Sequence, residues 1–277
     1  MLVGFRNIAI QCAAGQYPPV SQPYLSLEAE LHDAFWEAED PSSELSLMAD
    51  FMNDHPGRAL EIGSGSGRLL RPLLDQGFQI EGLELSPDMI AIGQQRSKPD
   101  QAPMIVHAGD MSKWESADPY AALLAPAFTL QLSQDPQATL NHWRLLLQPH
   151  GGLYLTVFMP YAELNGEVPE NEWYDDHQAA LPDGRSAILR TRHRIDHDQK
   201  EIHREHHYSI TDQSETSYES KQIIRWIDHD EMQSLLQRAG FRLKRDFYDF
   251  TQQSIDDGLN CEEGTGIFTY LAERIDE

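Results

Sequence analysis

The central part of the chain alternates short apolar runs with amphipathic stretches of helical spacing. Apolar runs that predict buried strands lie at residues 59–62, 79–85, 104–107, 128–132 and 153–158. Amphipathic stretches that predict the intervening helices lie at residues 69–76, 87–96 and 137–147. Because strands that alternate with helices pair in parallel through right-handed crossovers, the pattern predicts an α/β core built on a parallel sheet.

The segments before this core predict helices and an irregular start. Apolar residues at helical spacing predict helices at residues 27–36 and 44–53. The second helix is expected to be capped within Asp40-Pro41-Ser42-Ser43. Residues 1–25 have no clear period and are predicted to form an arm or lid.

After the core, the apolar period changes to two. A loop is predicted over residues 160–183, and antiparallel strands are predicted at residues 187–195, 202–210 and 216–227. Asp228 then caps a helix at residues 231–239, and Gly240 ends it. The last two strands are predicted at residues 242–250 and 267–274. A three-stranded meander is therefore expected as an insertion before the final helix.

Composition changes this picture mainly through charge. The chain has 277 residues, of which 40% are hydrophobic and 24% charged, as in ordinary soluble globular proteins. It has 21 basic and 45 acidic residues, which gives a net charge of −24. Because such a surface repels phosphate backbones, we expect no nucleic-acid partner.

The cysteines and the apolar segments bear on the compartment. Cys12 and Cys261 are too few and too far apart for a disulfide framework or a zinc site, which favours a reducing compartment. No run approaches the roughly 20 apolar residues that span a bilayer, and Arg6 and Asn7 interrupt the apolar start. A cytoplasmic protein with no membrane partner is predicted.

The most specific pattern follows the first predicted strand. That strand runs into Glu61, and Gly63, Gly65 and Gly67 come next. Alternating glycines let the backbone turn tightly and approach a ligand, while the next helix points N–H groups at it. Glu84 ends the following strand about 20 residues later, the spacing at which an acid binds ribose hydroxyls. The pattern predicts a nucleoside site.

Two residues, Glu61 and Arg68, distinguish between the possible classes of nucleoside ligand. Dinucleotide sites carry a glycine where this chain has Arg68. Glu61 would repel a pyrophosphate, but a carboxylate suits an ammonium group and a positive sulfur. An NAD-dependent oxidoreductase is therefore disfavoured. S-adenosylmethionine, which has a ribose, an ammonium and a sulfonium but no phosphate, is the favoured ligand.

Five motifs occur in a characteristic order: Glu61-x-Gly63-x-Gly65-x-Gly67, Gly82-x-Glu84-x-Ser86, Gly109-Asp110-Met111, Pro149-His150-Gly151-Gly152 and Ala239-Gly240-Phe241. This set resembles the class I (Rossmann-like) S-adenosylmethionine-dependent methyltransferases of the small-molecule type. His150 is a departure that lengthens one turn by a residue. The resemblance implies a mixed seven-stranded sheet flanked by helices, with an N-terminal helical lid and an inserted antiparallel β meander.

Pattern and resemblance together predict a division of the chain into parts. Residues 1–44 would form the N-terminal arm and lid helix, and residues 45–160 the S-adenosylmethionine-binding core. Residues 161–227 would form the inserted loop and the strands that cover the acceptor pocket. Residues 228–277 would supply the C-terminal helix and the last two strands of the core.

The resemblance also implies roles at the cofactor. Glu61 is expected to reach the methionine ammonium, Glu84 the ribose hydroxyls and Asp110 the adenine amino group. Arg68 is expected either to contact the methionine carboxylate or to pack outward. The other residues implied at the cofactor are Gly63, Ser64, Gly65, Gly67, Leu85, Met89, Met111 and Pro126.

The residues that act on the acceptor stay open at this point. His193, Tyr24 and Tyr174 are candidates for proton transfer or for contact with the acceptor, against a solvated face or ordinary lid packing. Trp173 lies in the same covering segments. His193 and His203 could meet across a hairpin, but no acid or thiol recurs at fixed spacing, so no metal is predicted.

The expected reaction is in-line transfer of the methyl group to a nitrogen or oxygen of a small-molecule acceptor, by a monomer or a homodimer. One alternative is an enzyme that consumes the cofactor itself, by attack of its own amine or by aminobutyrate transfer, and releases methylthioadenosine. A second alternative is a non-catalytic cofactor-binding protein. The motifs leave these open, because a sulfonium activates all three of its neighbouring carbons.

Overall fold

A computed structural model of the chain describes residues 24–36, 41–211, 216–250, 253–254 and 266–276. Most of the predicted N-terminal arm lies outside the described residues, as do Cys12 and Cys261. Among the helices that are described, none is long and apolar enough to cross a membrane.

The described chain alternates strands and helices up to residue 158 and is mostly strand after it. The strands are β1 (Ala59–Ile62), β2 (Ile80–Glu84), β3 (Val106–Ala108), β4 (Tyr120–Ala125), β5 (Leu147–Phe158), β6 (Tyr174–Ala180), β7 (Ser186–Asp196), β8 (Glu201–Thr211), β9 (Thr216–Arg225), β10 (Phe241–Tyr248), β11 (Gln253–Ser254) and β12 (Ile267–Arg274). The helices are α1 (Leu27–Trp36), α2 (Ser42–Asp54), α3 (Leu70–Asp75), α4 (Pro87–Arg96), α5 (Pro136–Leu146), α6 (Tyr161–Leu164) and α7 (His229–Arg238), with a 3-10 helix at Thr129–Leu132.

The main sheet has the strand order β11-β10-β12-β5-β4-β1-β2-β3. Strands β1 to β5 pair in parallel, whereas β12 lies antiparallel between β5 and β10. Apart from the two-residue edge strand β11, this is the mixed seven-stranded sheet that was predicted, and the predicted Rossmann-like fold class is confirmed. The carboxyl ends of the parallel strands share one edge, where ligands bind in such sheets.

Helices cover both faces of this sheet. On one face, Trp143 of α5 and Leu236 of α7 are fully buried in a cluster with residues of β4 and β5. On the other face, Met48 of α2 and Leu73 of α3 are equally buried. This burial on both faces explains why the core strands read as continuous apolar runs rather than as alternating ones.

The fourth strand was predicted at the wrong place. It is β4 at Tyr120–Ala125, in which every residue is buried, whereas Thr129–Leu132 forms the 3-10 helix. Ala127 and Phe128 have φ angles of 51° and 64°, which turn the chain out of the strand before Thr129. The alanine-rich strand has a weak intrinsic β propensity, and its pairing with β1 and β5 compensates.

The predicted meander is a separate four-stranded antiparallel sheet in the order β6-β7-β8-β9. The region predicted as a loop over residues 160–183 contains α6 and the additional strand β6. β6 has few strand-forming residues, and its register with β7 holds it in the sheet. Helix α1 packs Leu27, Leu31 and Phe35 against one end of this sheet.

The ends of two helices test the predicted caps. Asp228 accepts a hydrogen bond from the Glu231 N–H at the start of α7, as predicted. Gly240 ends that helix with a φ angle of 77°. The α2 cap is different: Pro41 occupies the cap position and forms no side-chain hydrogen bond, and Asp40 lies outside the described residues.

Candidate active site

The glycine turn after β1 is held from β2. Gly63, Gly65 and Gly67 have φ angles of 71°, 56° and 85°, a conformation that favours glycine. The carboxylate of Glu84 accepts hydrogen bonds from the Gly65 N–H at 2.8 Å and the Ser86 N–H at 2.7 Å. The acid predicted to bind ribose therefore also fixes the turn.

Glu61 lies beneath this turn and has an unsatisfied oxygen. Its side chain is 2% exposed, and its Oε2 has no hydrogen-bond partner among the described residues. Burial raises the pKa of Glu61 well above its usual range, the charges of Glu44 and Glu84 raise it further, and Arg68 lowers it. A buried carboxylate without a partner is costly. An ammonium group at this position would satisfy it, so the site fits the methionine end of S-adenosylmethionine.

The other predicted cofactor residues near the turn divide into two groups. Leu85, directly after β2, is 42% exposed and so is accessible to an adenine ring. Met89 is buried, and its Cε would lie 3.1 Å from a Cβ at Gly65, so it supports the turn from below. Ser64 is buried too, since its Oγ occupies the space above Gly82, where a Cβ would lie 2.5 Å away.

Asp110 follows β3 at the same edge of the sheet. Its carboxylate accepts from the Ser112 N–H at 2.9 Å and the Ser112 hydroxyl at 2.7 Å. Burial raises the pKa of Asp110, but the bonds from Ser112 and the charge of Lys113 outweigh it and lower the pKa. The carboxylate is therefore ionised and suited to accept from an amino group. Met111 packs against the core beside it.

Two aromatic rings mark the carboxyl ends of β4 and β5. Phe128, in the left-handed turn after Pro126, has its ring 4.8 Å from that of Phe158. The Phe128 N–H donates to the hydroxyl of Thr156 in β5, and the Thr129 hydroxyl donates to the carbonyl of Pro126. A Cβ at Gly63 would lie 2.7 Å from Thr129 Oγ1, so this aromatic turn adjoins the glycine turn.

The second sheet presents a polar face to this edge. Cross-strand register places its inward residues in two rows: Tyr174, Thr191, His206 and Ser220, and then His193, Arg204 and Gln222. The guanidinium of Arg204 lies 5.7 Å from the Phe158 ring and pairs with Glu163 of α6. The second row therefore adjoins the aromatic turn of the main sheet.

Several atoms of this face have no partner within the described part of the chain. Both ring nitrogens of His193 are buried and unbonded, and so is the Nε of Arg204. Buried polar groups nearly always form hydrogen bonds, and unsatisfied ones call for an explanation. A polar ligand that covers this face would satisfy these groups.

The three candidates for action on the acceptor come together here. The Tyr174 ring lies 6.1 Å from that of His193 in an edge-to-face arrangement. The Tyr24 hydroxyl accepts from the Gln222 side chain at 3.3 Å, and the Tyr24 carbonyl accepts from the Ser86 hydroxyl at 2.5 Å. Tyr24 thus links the polar face of the second sheet to the end of β2.

Protonation separates these candidates. Burial raises the pKa of Tyr24 to about 12, with the Glu28 charge adding to the effect. Burial and the charge of Asp176 likewise raise the pKa of Tyr174 to about 12. Burial lowers the pKa of His193, against the charge of Glu163. At neutral pH both tyrosines are protonated and His193 is neutral, so of the three only His193 has a free lone pair for a proton.

Other residues of the face were missed by sequence reasoning. Glu28 of α1 accepts from the Tyr208 hydroxyl at 3.1 Å and the Tyr24 N–H at 3.0 Å. Asp176 accepts from the Thr191 hydroxyl at 2.6 Å. The alternation along β7 and β8 was the signal that could have grouped the sheet residues, but nothing local connects Glu28 to them.

Two residues that were weighed in the sequence, His203 and Trp173, lie on the outward side of the second sheet. His203 pairs in register with Arg194 and so faces away from His193, and the two do not meet across the hairpin. Trp173 packs against the outward-facing Arg192, 5.0 Å from its guanidinium, rather than over the polar face. In the part of the chain that is described, no group of three or more His, Cys, Asp or Glu residues could hold a metal ion.

A family model described as "Methyltransferase domain" matches residues 32–245. The chain belongs to this family. The predicted recognition of a class I methyltransferase, with S-adenosylmethionine as its cofactor, is thereby confirmed. The assignments of single residues to the cofactor of this methyltransferase-family protein remain predictions.

Two curated relatives match over part of their length. A dTDP-3-amino-3,6-dideoxy-alpha-D-glucopyranose N,N-dimethyltransferase of Streptomyces fradiae is 34% identical over 100 residues, which cover 34% of this chain and 38% of that protein. Ribosomal RNA small subunit methyltransferase A of Pseudomonas syringae pv. syringae (strain B728a) is 44% identical over 68 residues, 22% of this chain and 24% of that protein. Each of these two matches thus covers well under half of the length of the relative.

A solved structure is similar over nearly the whole length. The S-adenosylmethionine-bound CalS10, an amino pentose methyltransferase from Micromonospora echinaspora, aligns with a TM-score of 0.63 at 18% identity. The alignment covers 91% of this chain and 98% of that one. At this identity the likeness establishes the fold.

Proposed function

We propose that this protein transfers the methyl group of S-adenosylmethionine to a nitrogen of a small, polar acceptor that lies between the second sheet and the carboxyl edge of the main sheet. The observation that carries the proposal is the buried imidazole of His193, whose ring nitrogens have no hydrogen-bond partner among the described residues. His193 lies beside Arg204, which contacts the Phe158 ring of the Phe128–Phe158 pair. The relative from Streptomyces fradiae and CalS10 are named for amino-sugar acceptors, which supports an amine on a sugar-like molecule.

The cofactor would be held by groups already described. Glu61 would bind the ammonium group, Glu84 the ribose hydroxyls and Asp110 the adenine amino group. The bound cofactor supplies a methyl carbon that its sulfonium activates. The protein then contributes mainly alignment of the acceptor nitrogen behind that carbon and exclusion of water, because the displacement needs no covalent help.

Charge and protonation favour nitrogen over oxygen. A neutral amine attacks through its own lone pair and loses a proton after the nitrogen–carbon bond has formed and the sulfur–carbon bond has broken. A hydroxyl would need a strong base, and both nearby tyrosines are protonated at neutral pH. The neutral His193 is a weak base that suits the amine. Burial raises the pKa of Asp176 on the same face, but the hydrogen bonds from His177 and Thr191 prevail and lower it. Its negative charge would attract the protonated form of the amine, which loses a proton before it attacks.

The test is turnover with paired acceptors. Purified protein and S-adenosylmethionine would be incubated with amino sugars, free and nucleotide-linked, and with the matching hydroxyl sugars. Mass spectrometry should detect S-adenosylhomocysteine together with an N-methylated amino sugar. Methylation of the hydroxyl sugars alone would overturn the choice of nitrogen.

The same incubation without acceptor separates the alternatives. Release of methylthioadenosine would indicate that the cofactor itself is consumed. Tight cofactor binding with no product from any acceptor would indicate a non-catalytic binding protein. The predicted absence of nucleic-acid partners, the monomer or homodimer, the cytoplasmic location and the division into parts remain proposals, supported by the net charge of −24 and the apolar pattern.

A further inference from the structure

Asp33 of α1 is a buried carboxylate that binds three donors. It is 3% exposed and accepts from the Ser66 hydroxyl of the glycine turn at 2.5 Å, from His32 Nδ1 at 2.8 Å and from Arg96 at the end of α4. Burial raises its pKa, but the bonds from His32 and Ser66 and the charge of Arg96 prevail and lower it to about 2. An ionised carboxylate of α1 thus contacts the turn that should hold the cofactor.

The other end of α1 is attached to the same helix, α4. The N–H of Ser26 donates to Asp88 at 2.6 Å, and the Tyr24 carbonyl accepts from the Ser86 hydroxyl at 2.5 Å. The segment from Tyr24 to Asp33 therefore spans α4 from its first residues to its last. Its inner side carries Glu28, which contacts the polar face of the second sheet.

The glycine turn depends on polar bonds at two successive residues. Glu84 holds the Gly65 N–H, and Asp33 holds the Ser66 side chain. Behind Ser66 lies a cavity of about 230 Å³, bordered also by Arg68, Arg71 and Arg96. Gly93 and Met104 pack closely against the backbone of this part of the turn, and the hydrogen bond to Asp33 is the contact that restrains the Ser66 side chain.

We propose that Asp33 is a positioning residue that couples the docking of α1 to the cofactor-binding conformation of the glycine turn. Cofactor binding then favours docking of α1, which brings Tyr24 and Glu28 into the acceptor site. The acceptor site is complete only after the cofactor is bound, so the cofactor binds first. This inference rests on the proposed function, in that S-adenosylmethionine occupies the turn.

The test measures cofactor affinity and α1 protection in matched variants. Calorimetry with S-adenosylmethionine should give about tenfold weaker binding for Ser66→Ala and for Asp33→Ala, since each removes a hydrogen bond to a charged group. The double variant should bind about as weakly as either single one, because both changes break one link. Ser66→Thr keeps the hydroxyl, has the cavity for its methyl group, and should bind like the wild type.

Hydrogen exchange provides a readout that a purely structural role would not change. The cofactor should slow exchange in α1 of the wild type and of Ser66→Thr, but not of Ser66→Ala. Asp135→Ala is the matched control, since it removes the cap of α5 that accepts from the Ala138 N–H and should lower stability without changing affinity.

The outcomes distinguish two kinds of failure. If the wild type binds no S-adenosylmethionine, the proposed function fails. If the wild type binds S-adenosylmethionine, either of two results overturns the coupling through Asp33 while the proposed function stands. One is that the affinity losses of the two single variants add in the double variant. The other is that the cofactor slows hydrogen exchange in α1 of Ser66→Ala.

Discussion

At the scale of single residues, Glu84 holds the glycine turn and is also predicted to bind the ribose. A carboxylate has about four acceptor positions. Two are used by the N–H groups of Gly65 and Ser86, and the others are free for the ribose. One side chain therefore shapes the glycine turn and would bind the ligand that occupies it, which makes this position sensitive even to a neutral isostere.

Glu84→Gln should weaken S-adenosylmethionine binding by about 10- to 100-fold, because charge-assisted hydrogen bonds to the ribose are lost and an amide N–H₂ faces backbone donors. Calorimetry measures the dissociation constant. Glu81→Gln is the control in the same strand, since Glu81 pairs with Arg58 and His107 instead of the turn. Equal affinities of Glu84→Gln and the wild type would contradict the assignment.

His193→Asn should lower kcat by about 10², the usual contribution of a positioned acid or base, while the dissociation constant for S-adenosylmethionine stays the same. The reason is that His193 faces the acceptor side and forms no bond to the described cofactor residues. Steady-state kinetics with the best acceptor would measure this. His203→Asn, on the outward face, should keep full activity, and a similar loss in both variants would argue against a specific role.

His206 should make stability depend on pH. Burial, with the charge of Arg204, lowers its pKa from 6.5 to about 4. Above pH 6.5 both states are neutral at this residue; as the pH falls, the unfolded state binds a proton that the folded state does not. The free energy of unfolding should lose up to about 3 kcal/mol through this group by pH 4.

Chemical denaturation between pH 7.5 and 4 tests this as the difference between wild type and His206→Gln. The difference cancels contributions from the many carboxylates that the two proteins share. The wild type should lose more stability on acidification than the variant. Parallel pH profiles for the two proteins would show that His206 does not titrate in this way.

At the scale of elements, the site depends on how closely α4 packs under the glycine turn. Gly93 allows this approach, since a Cβ there would lie 2.6 Å from the Ser66 carbonyl oxygen and 2.8 Å from Met104 Cε. Arg96 of α4 binds Asp33 of α1, which in turn accepts from Ser66 of the glycine turn. Ser86, just before α4, binds the Tyr24 carbonyl. α4 therefore connects α1, the glycine turn and the end of β2. A change at Gly93 should therefore alter cofactor binding through the glycine turn and not through direct contact.

Gly93→Ala should lower the free energy of unfolding by about 1–3 kcal/mol through overpacking and should weaken cofactor binding, because the backbone of Ser66 has to move. Thermal unfolding and calorimetry measure the two effects. Gln94→Ala, at an exposed position of the same helix, is the control and should change neither. A more stable Gly93→Ala protein with normal affinity would contradict this account of the packing.

At the scale of the whole molecule, a second sheet and α1 lie over the carboxyl edge of a methyltransferase core that carries a strongly negative charge. The inward face of the second sheet offers hydrogen-bonding groups and acids near the reacting end of the proposed cofactor. The net charge of −24 opposes anionic partners at long range. Both features favour a small polar acceptor over a nucleic acid.

The protein should therefore not bind RNA at physiological salt. Fluorescence anisotropy of a labelled RNA hairpin should stay constant as protein is added at about 0.15 M salt, since the net charge of −24 repels the phosphate backbone. A small basic protein serves as the positive control. A rise in anisotropy that weakens with added salt would indicate a local basic site and would refute the prediction.

The glycine turn and the acid at the end of β2 could be predicted because their signals are local. Gly63 and Gly65 are needed by a turn that only glycine adopts readily, and Glu84 follows at the distance that one crossover helix sets. The order of strands and helices in the core could be predicted from the spacing of apolar residues. A helix buried along one stripe and a strand buried on both faces have different apolar patterns in the sequence. These features require no knowledge of distant contacts.

The acceptor half was decided only in the tertiary structure. β4 and β6 are weak strands by composition, and their pairing with neighbours from elsewhere in the chain makes them strands. His193 meets Arg204 and Tyr24 meets Gln222 because four strands and α1 come together in space. Register and packing, rather than local preference, determine which polar side chains share a buried face, and so the amino-acid order alone left that face unassigned.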